Sequence, residues 1–124
     1  MKKLLSLLLG VLGFAACSSA QSDSIQTVPA EEFAQIIKAD SVILVDVRTA
    51  GEYDAGHIEN ARNIDVLKDT FRSIAIGTLP KDKTIAVYCR SGKRSLKAAA
   101  ILAKEGYKVV NLRGGWMEWT EYKR

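Results

Sequence analysis

Two short apolar runs, at residues 42–47 and 84–89, constrain the fold of this chain more than any other feature. Neither run alternates regularly with polar residues, and such runs are typical of parallel strands that are buried on both faces of a sheet. Segments with helical spacing of apolar residues, such as 30–39 and 95–105, lie around them. This alternation of strands and helices predicts an α/β fold with right-handed crossover connections.

The first 16 residues are predicted to be a signal peptide rather than part of the fold. A positively charged start precedes an apolar run that is shorter than the roughly 20 residues needed to span a bilayer. The residues Phe-Ala-Ala-Cys at 14–17 resemble a bacterial lipobox, which predicts cleavage before Cys17 and its lipidation. Cleavage after Ala20 is the alternative and predicts a free periplasmic protein. In either case the chain is expected to be exported.

The remainder predicts one domain, at 27–124, preceded by a Ser-rich tether at 17–26. A domain of this size can form its own core without disulfide bonds. Removal of Lys2 and Lys3 lowers the formal net charge from +4 to about +2. Since no basic stripe carries interleaved aromatic residues, we expect no nucleic acid partner. We also expect a monomer, with membrane contact only through a lipid anchor.

The two cysteines have separate predicted fates. Lipidation or removal of Cys17 leaves Cys89 as a lone thiol, which is a hazard in an oxidising compartment unless it has a task. A disulfide between the two would require that neither cleavage occurs. No Cys/His cluster has the spacing of metal ligands, and no cofactor is expected.

Cys89 ends the second apolar run and precedes a helix that is predicted to begin near Ser95. Ligands bind at the carboxyl ends of strands in open α/β sheets, and a helix N-terminus stabilises a thiolate over a thiol. Arg90, Lys93 and Arg94 add positive charge within five residues of the sulfur. The pattern predicts a nucleophilic sulfur anion in an anion-binding loop, rather than a cysteine that only packs in the core.

The backbone of this loop is predicted to form the binding cradle. Gly92 can adopt a conformation that is closed to other residues, and it lets the amides from Arg90 through Ser91 to Ser95 point inward. Ser95 is predicted to cap the following helix.

Three segments of the chain resemble the rhodanese-type sulfurtransferase domains. The loop from Cys89 to Arg94 is similar to the six-residue active-site loop of that family. The segments 45–48, 52–53 and 56–64 resemble its N-terminal signature, and 112–119 resembles its C-terminal signature. The resemblance covers 27–119 and implies a rhodanese-like fold, which is a five-stranded parallel sheet flanked by helices on both faces.

The resemblance also implies a reaction. Cys89 would accept a sulfur atom from thiosulfate or a polysulfide, hold it as a persulfide, and pass it to cyanide or a thiol. The charged loop, from Arg90 to Arg94, is similar to those that prefer thiosulfate. Asp46 is expected to organise the loop, and Arg48 is expected to form an ion pair, for which Glu52 is a candidate. The single histidine, His57, is expected to have a packing or hydrogen-bonding role.

Two other functions compete with catalytic sulfur transfer. A rhodanese-like module with little turnover of its own would carry sulfur or bind a partner, and the intact Cys89 is compatible with the carrier. A Cys-based phosphatase would need a loop one residue longer, because its Cys and Arg are separated by five residues. Only four residues separate Cys89 from Arg94, so the sequence favours a loop that holds a single sulfur atom.

Overall fold

A computed structural model of the chain describes residues 24–124. The predicted signal peptide, the lipidation site Cys17 and most of the tether lie outside the described residues. The described elements, in chain order, are β1 (Ile25–Val28), α1 (Ala30–Ile36), β2 (Val42–Asp46), α2 (Ala50–Ala55), β3 (Arg62–Asn63), α3 (Phe71–Thr78), β4 (Thr84–Tyr88), α4 (Lys93–Lys104), β5 (Val109–Leu112) and α5 (Gly115–Lys123).

The five strands form one parallel sheet in the order β1-β5-β4-β2-β3. This confirms the predicted five-stranded α/β architecture. The two apolar runs become β2 and β4, which are neighbours in register from Val42 beside Thr84 to Asp46 beside Tyr88. All five carboxyl ends meet at one edge of the sheet, since the strands are parallel.

Helices cover both faces of the sheet, as predicted, and each face has its own core. One core places α3 and α4 against side chains that include Ile85, Val87 and Val109. The other places α1 and the aromatic side chains of α5 against side chains that include Leu44, Ala86 and Leu112. Alternation along β4 therefore sends Cys89 to the α4 face and Tyr88 to the opposite face.

Several predicted boundaries shift. Strand β1 agrees with the strand that the sequence indicates at 25–28, and its Ile25 pairs with Val109. The apolar residues of 66–76 have a mixed periodicity that predicts a helix over this segment, but the helix begins only at Phe71, since 66–70 forms turns instead. The helix expected to begin near Ser95 begins at Lys93. Among residues 24–124, no helix has the length and apolar character needed to cross a membrane.

Candidate active site

Cys89 lies directly after β4, beneath the loop that leads into α4. Its residue surface is 1% exposed, and it is a free thiol. The backbone N–H of Gly92 donates to its Sγ at 3.0 Å. Gly92 has a φ of +104°, and a Cβ there would overlap the carbonyl oxygen of Arg113. Only glycine fits this position, which confirms the prediction that Gly92 adopts a conformation closed to other residues.

The surroundings of Cys89 favour its thiolate. Burial alone would raise the pKa of the thiol, but hydrogen bonds from the hydroxyl and amide of Ser95 and from the amides of Gly92 and Ser91 outweigh it. The pKa of Cys89 therefore lies below its ordinary value. The sulfur faces the first turn of α4, where the helix dipole acts in the same direction. Of the amides from Arg90 to Ser95 that are predicted to point inward, those of Ser91, Gly92 and Ser95 donate to the sulfur, and the side chain of Ser91 is exposed.

Ser95 acts on the sulfur from a position that differs from the prediction. The N-cap of α4 is Gly92, so the expectation that Ser95 caps this helix is wrong. Ser95 lies in the first turn of the helix, three residues after the N-cap, and is fully buried. Its hydroxyl lies 3.2 Å from the carbonyl oxygen of Gly92 and also within hydrogen-bonding reach of the Cys89 sulfur. Because it has one proton, it donates to one of these acceptors at a time.

The N-terminus of α5 holds the loop from behind. The N–H of Trp116 donates to the carbonyl of Cys89 at 2.8 Å, and the N–H of Met117 donates to that of Arg90 at 3.1 Å. Gly115 makes this approach possible, because its φ is +63° and a Cβ there would lie 2.5 Å from the Cys89 carbonyl oxygen. With these carbonyls bound to α5, the loop amides remain available to the sulfur.

Glu118 fastens the turn before α5. Its carboxylate accepts hydrogen bonds from the N–H of Ala30 at 2.8 Å and from the N–H of Gly114 at 2.9 Å, and it pairs with Arg113. Burial would raise the pKa of this carboxyl, but the donors from Ala30 and Arg113 outweigh it and lower the pKa. Glu118 therefore links the first turn of α1 to the turn that supports the loop.

Asp46 and Arg48 form a buried ion pair on the sheet face opposite the Cys89 side chain. The Arg48 Nη2 lies 2.7 Å from Asp46 Oδ2, with side chains 4% and 0% exposed. The guanidinium also donates to the Gly56 carbonyl and lies over the rings of Tyr88 and Trp116. The expected ion pair of Arg48 therefore exists, but its partner is Asp46 and not Glu52. Since Trp116 binds the Cys89 carbonyl, this pair supports the loop indirectly.

Glu52 pairs instead with Arg94. Two parallel bonds join the Arg94 guanidinium to the Glu52 carboxylate, at 2.8 Å and 2.9 Å. The same carboxylate accepts the N–H of Thr49 in a capping box at the start of α2. Arg94 lowers the pKa of Glu52 to about 2. Arg94, predicted as a substrate-binding residue, thus lies at the active-site loop with its charge already paired.

Among the described residues, the other two predicted loop cations are exposed and unpaired, unlike Arg94. Arg90 and Lys93 are exposed, and within residues 24–124 neither side chain has a hydrogen-bond or ion-pair partner. His57 is exposed, stacks on Tyr53 at 3.7 Å between ring centroids, and contacts the Tyr53 carbonyl through Nδ1 at 2.8 Å. This confirms its packing and hydrogen-bonding role. The described residues contain no group of three or more His, Cys, Asp or Glu that could hold a metal ion.

Comparisons with known proteins agree with this geometry. The model of the rhodanese-like domain family matches residues 29–122. A sulfurtransferase of Allochromatium vinosum is 35% identical over 100 residues, which cover 79% of this chain and 91% of that protein. A rhodanese-related protein of Thermoplasma volcanium has a crystal structure that superposes with a TM-score of 0.69, at 31% identity, over 78% of this chain and 92% of that one.

A further relative has another activity. A tRNA uridine(34) hydroxylase of Yersinia enterocolitica is 38% identical over 97 residues. The match covers 73% of this chain and only 27% of that protein. The chain therefore spans about a quarter of the hydroxylase, whose activity belongs to a much longer protein.

Proposed function

This chain belongs to the family of rhodanese-like domains, and we propose that it is a thiosulfate or polysulfide sulfurtransferase that works through a Cys89 persulfide. The observation that carries the proposal is the cradle of Ser91, Gly92 and Ser95 donors around the sulfur, which lowers the pKa of its thiol. The sulfurtransferase of Allochromatium vinosum, matched over nearly its whole length, supports the same class of reaction.

In the first step the Cys89 thiolate attacks the outer sulfur of thiosulfate. A bond forms between the two sulfur atoms, the bond to the sulfonate group breaks, and its electron pair leaves with sulfite. The product is a persulfide anion with the charge of the original thiolate. The amides of Ser91, Gly92 and Ser95 that hold the thiolate can then donate to the outer sulfur, which carries the same negative charge.

In the second step a thiophilic acceptor takes the outer sulfur. Cyanide attacks it, the bond between the two sulfur atoms breaks, thiocyanate leaves, and the electron pair returns to Cys89 as the thiolate. A thiol acceptor follows the same path and leaves as a persulfide. Neither step requires a metal or an electron carrier, because in each step the nucleophile supplies the electron pair of the new bond and the leaving group takes the pair of the broken one.

Steady-state kinetics test this two-step scheme. We expect parallel double-reciprocal lines when thiosulfate is varied at several fixed cyanide concentrations, because the first product leaves before the acceptor binds. Intersecting lines would contradict a free persulfide intermediate. A Cys89→Ser variant is the control and should show no turnover. Rapid persulfide formation with very slow turnover would favour a sulfur carrier whose true acceptor is another protein.

We also propose that the chain is exported and lipid-anchored through Cys17. The lipobox-like residues at 14–17 support this, and the Ser-rich segment after them supports a tether. The test is the mass of the mature N-terminus after expression in bacteria. A lipidated Cys17 is expected, and a Cys17→Ser variant should lose the lipid. An unlipidated N-terminus at Gln21 would instead indicate cleavage after Ala20.

A further inference from the structure

The charges around the loop are more balanced than the loop sequence suggests. Arg90, Lys93 and Arg94 carry the three positive charges of the loop. The fold adds two negative charges: Glu52, paired with Arg94, and Asp65, which also acts electrostatically on Arg94. These five side chains are called the charge cluster below. Its formal charge is +1, so only part of the positive charge of the loop is available to an incoming anion.

Glu52 is held in place independently of any ligand. Its carboxylate accepts from the Thr49 N–H and contacts the Thr49 hydroxyl, both at 3.1 Å. Its pKa of about 2 keeps it ionised throughout the neutral range. The pair with Arg94 is only partly exposed, at 30% for Glu52 and 26% for Arg94. A fixed, ionised carboxylate therefore belongs to the site before any donor arrives.

Glu52 acts on the reaction at Cys89 through its ion pair with Arg94. Arg94 lies in the first turn of α4, two residues after Gly92, whose N–H donates to the Cys89 sulfur, and the negative charge of the thiolate raises the pKa of Arg94. Two of its five N–H groups are bound to Glu52, which leaves it able to donate to a substrate but with most of its charge compensated. Each negative charge on a donor thus gains less from Arg94 than it would from a free guanidinium.

From this arrangement we propose that Glu52 is a specificity-determining residue. It sets how strongly Cys89 prefers a more negative reagent over a less negative one. With Glu52 present, the site discriminates little between a dianionic donor such as thiosulfate and a singly charged or neutral one. Without it, the site would favour the more negative reagent. This inference deepens the proposed sulfurtransferase function and rests on it for the identity of the donors.

The first test measures charge preference without any sulfur transfer. Full-length protein carrying Cys17→Ser has Cys89 as its single thiol, and alkylation of Cys89 is followed by mass with iodoacetate, an anion, and iodoacetamide, which is neutral. We expect Glu52→Gln to raise the ratio of the iodoacetate rate to the iodoacetamide rate by about threefold to tenfold at low ionic strength. Removal of a nearby charge has an effect of this order in water-rich surroundings. The increase should shrink at about 1 M salt.

Asp82→Asn is the matched control. It removes the same charge from an exposed turn that precedes β4, at the opposite end of the strand from Cys89. This variant should leave the ratio unchanged. An equal ratio in Glu52→Gln and wild type, or an equal change in both variants, would overturn the proposal. Thr49→Val is a further variant, which loosens Glu52 while keeping its charge, and it should move the ratio less than Glu52→Gln does.

The second test uses two sulfur donors that differ by one charge. Thiosulfate and methanethiosulfonate both give the Cys89 persulfide, with sulfite or methanesulfinate as the leaving group. We expect Glu52→Gln to raise kcat/KM for thiosulfate relative to methanethiosulfonate by a similar factor. If the wild type is active and Glu52→Gln has the same ratio of kcat/KM for the two donors, the role of Glu52 is contradicted. A wild type that forms no persulfide with either donor would contradict the proposed function, and the alkylation ratio would still decide the role of Glu52.

Discussion

At the residue scale, the reactivity of Cys89 depends on a few donors that the fold aims at its sulfur. The positive φ of Gly92 fixes the direction of its N–H, which donates to the sulfur. The Ser95 hydroxyl can donate either to the sulfur or to the Gly92 carbonyl. A charged sulfur is the stronger acceptor, so the thiolate and later the persulfide should draw the hydroxyl toward them.

Replacement of Ser95 by Ala should therefore raise the pKa of the Cys89 thiol, because the thiolate loses its hydroxyl donor. The pH dependence of iodoacetamide alkylation measures this pKa. In the wild type the midpoint should lie below that of an ordinary thiol, and in Ser95→Ala it should move to higher pH. Ser73→Ala, at an exposed position of α3, is the control. An unmoved midpoint in Ser95→Ala would show that the amides alone stabilise the thiolate.

The Glu52–Arg94 pair should also make stability depend on pH. The pKa of Glu52 is about 2 in the fold and 4.5 ordinarily, so its contribution is present above pH 4.5 and is lost as pH falls toward 2. Discounted for partial exposure, it should be about 1 kcal/mol. Urea unfolding of wild type and Glu52→Gln should differ most near pH 6 and converge near pH 2. A difference in the free energy of unfolding that stays constant from pH 6 to pH 2 would contradict the lowered pKa of Glu52.

At the element scale, the loop is clamped between two helix N-termini. The start of α4 faces the sulfur, while the start of α5 binds the carbonyls of Cys89 and Arg90. Gly115 packs against the loop so closely that a Cβ there would lie 2.5 Å from the Cys89 carbonyl oxygen and 2.6 Å from that of Arg90. The position of α5 is in turn fixed by Glu118, which binds the N–H groups of Ala30 and Gly114.

A Gly115→Ala variant tests this clamp. The added methyl group would collide with the Cys89 and Arg90 carbonyls, and alanine would be strained at a φ of +63°. We expect a loss of about 1–3 kcal/mol in the free energy of unfolding and slower persulfide formation in the folded fraction. Gly77→Ala, where a Cβ meets nothing within 4 Å, should be nearly neutral. Equal effects of the two variants would contradict the clamp.

The sequence predicted the elements better than their ends. The apolar runs indicated β2 and β4 because burial on both faces leaves a local pattern in the sequence. The start of α4 was missed because Gly92, without a capping side chain, takes the N-cap. The pair of Glu52 with Arg94 spans 42 positions. Spacing alone could not predict it, since it requires β2 and β4 to be neighbours.

At the scale of the whole molecule, the sheet separates the reactive sulfur from the ion pair that supports its loop. Cys89 faces the core under α3 and α4, whereas Asp46 and Arg48 lie on the other face with Tyr88 and Trp116. The two faces meet at the carboxyl edge, where Trp116 binds the Cys89 carbonyl. The stability of the fold and the shape of the site therefore depend on the same buried pair.

Removal of Asp46 should consequently be costly. In Asp46→Ala the Arg48 guanidinium stays buried without its partner, and we expect a loss of about 3–5 kcal/mol in the free energy of unfolding. Glu105→Ala removes the partner of Arg72, whose side chain is 62% exposed, and should cost less than about 1 kcal/mol. Equilibrium urea unfolding of both variants measures the difference. Similar losses would mean that the buried pair is not a main support of the fold.

The measurement that tests the central claim most directly is the intact mass of the protein before and after incubation with thiosulfate. The account predicts that the Cys17→Ser protein gains the mass of one sulfur atom, about 32 Da, and loses it again on addition of cyanide. The same protein with Cys89→Ser should gain nothing. A wild-type loop that gains no sulfur from thiosulfate or polysulfide, or a gain that persists without Cys89, would contradict a Cys89 persulfide.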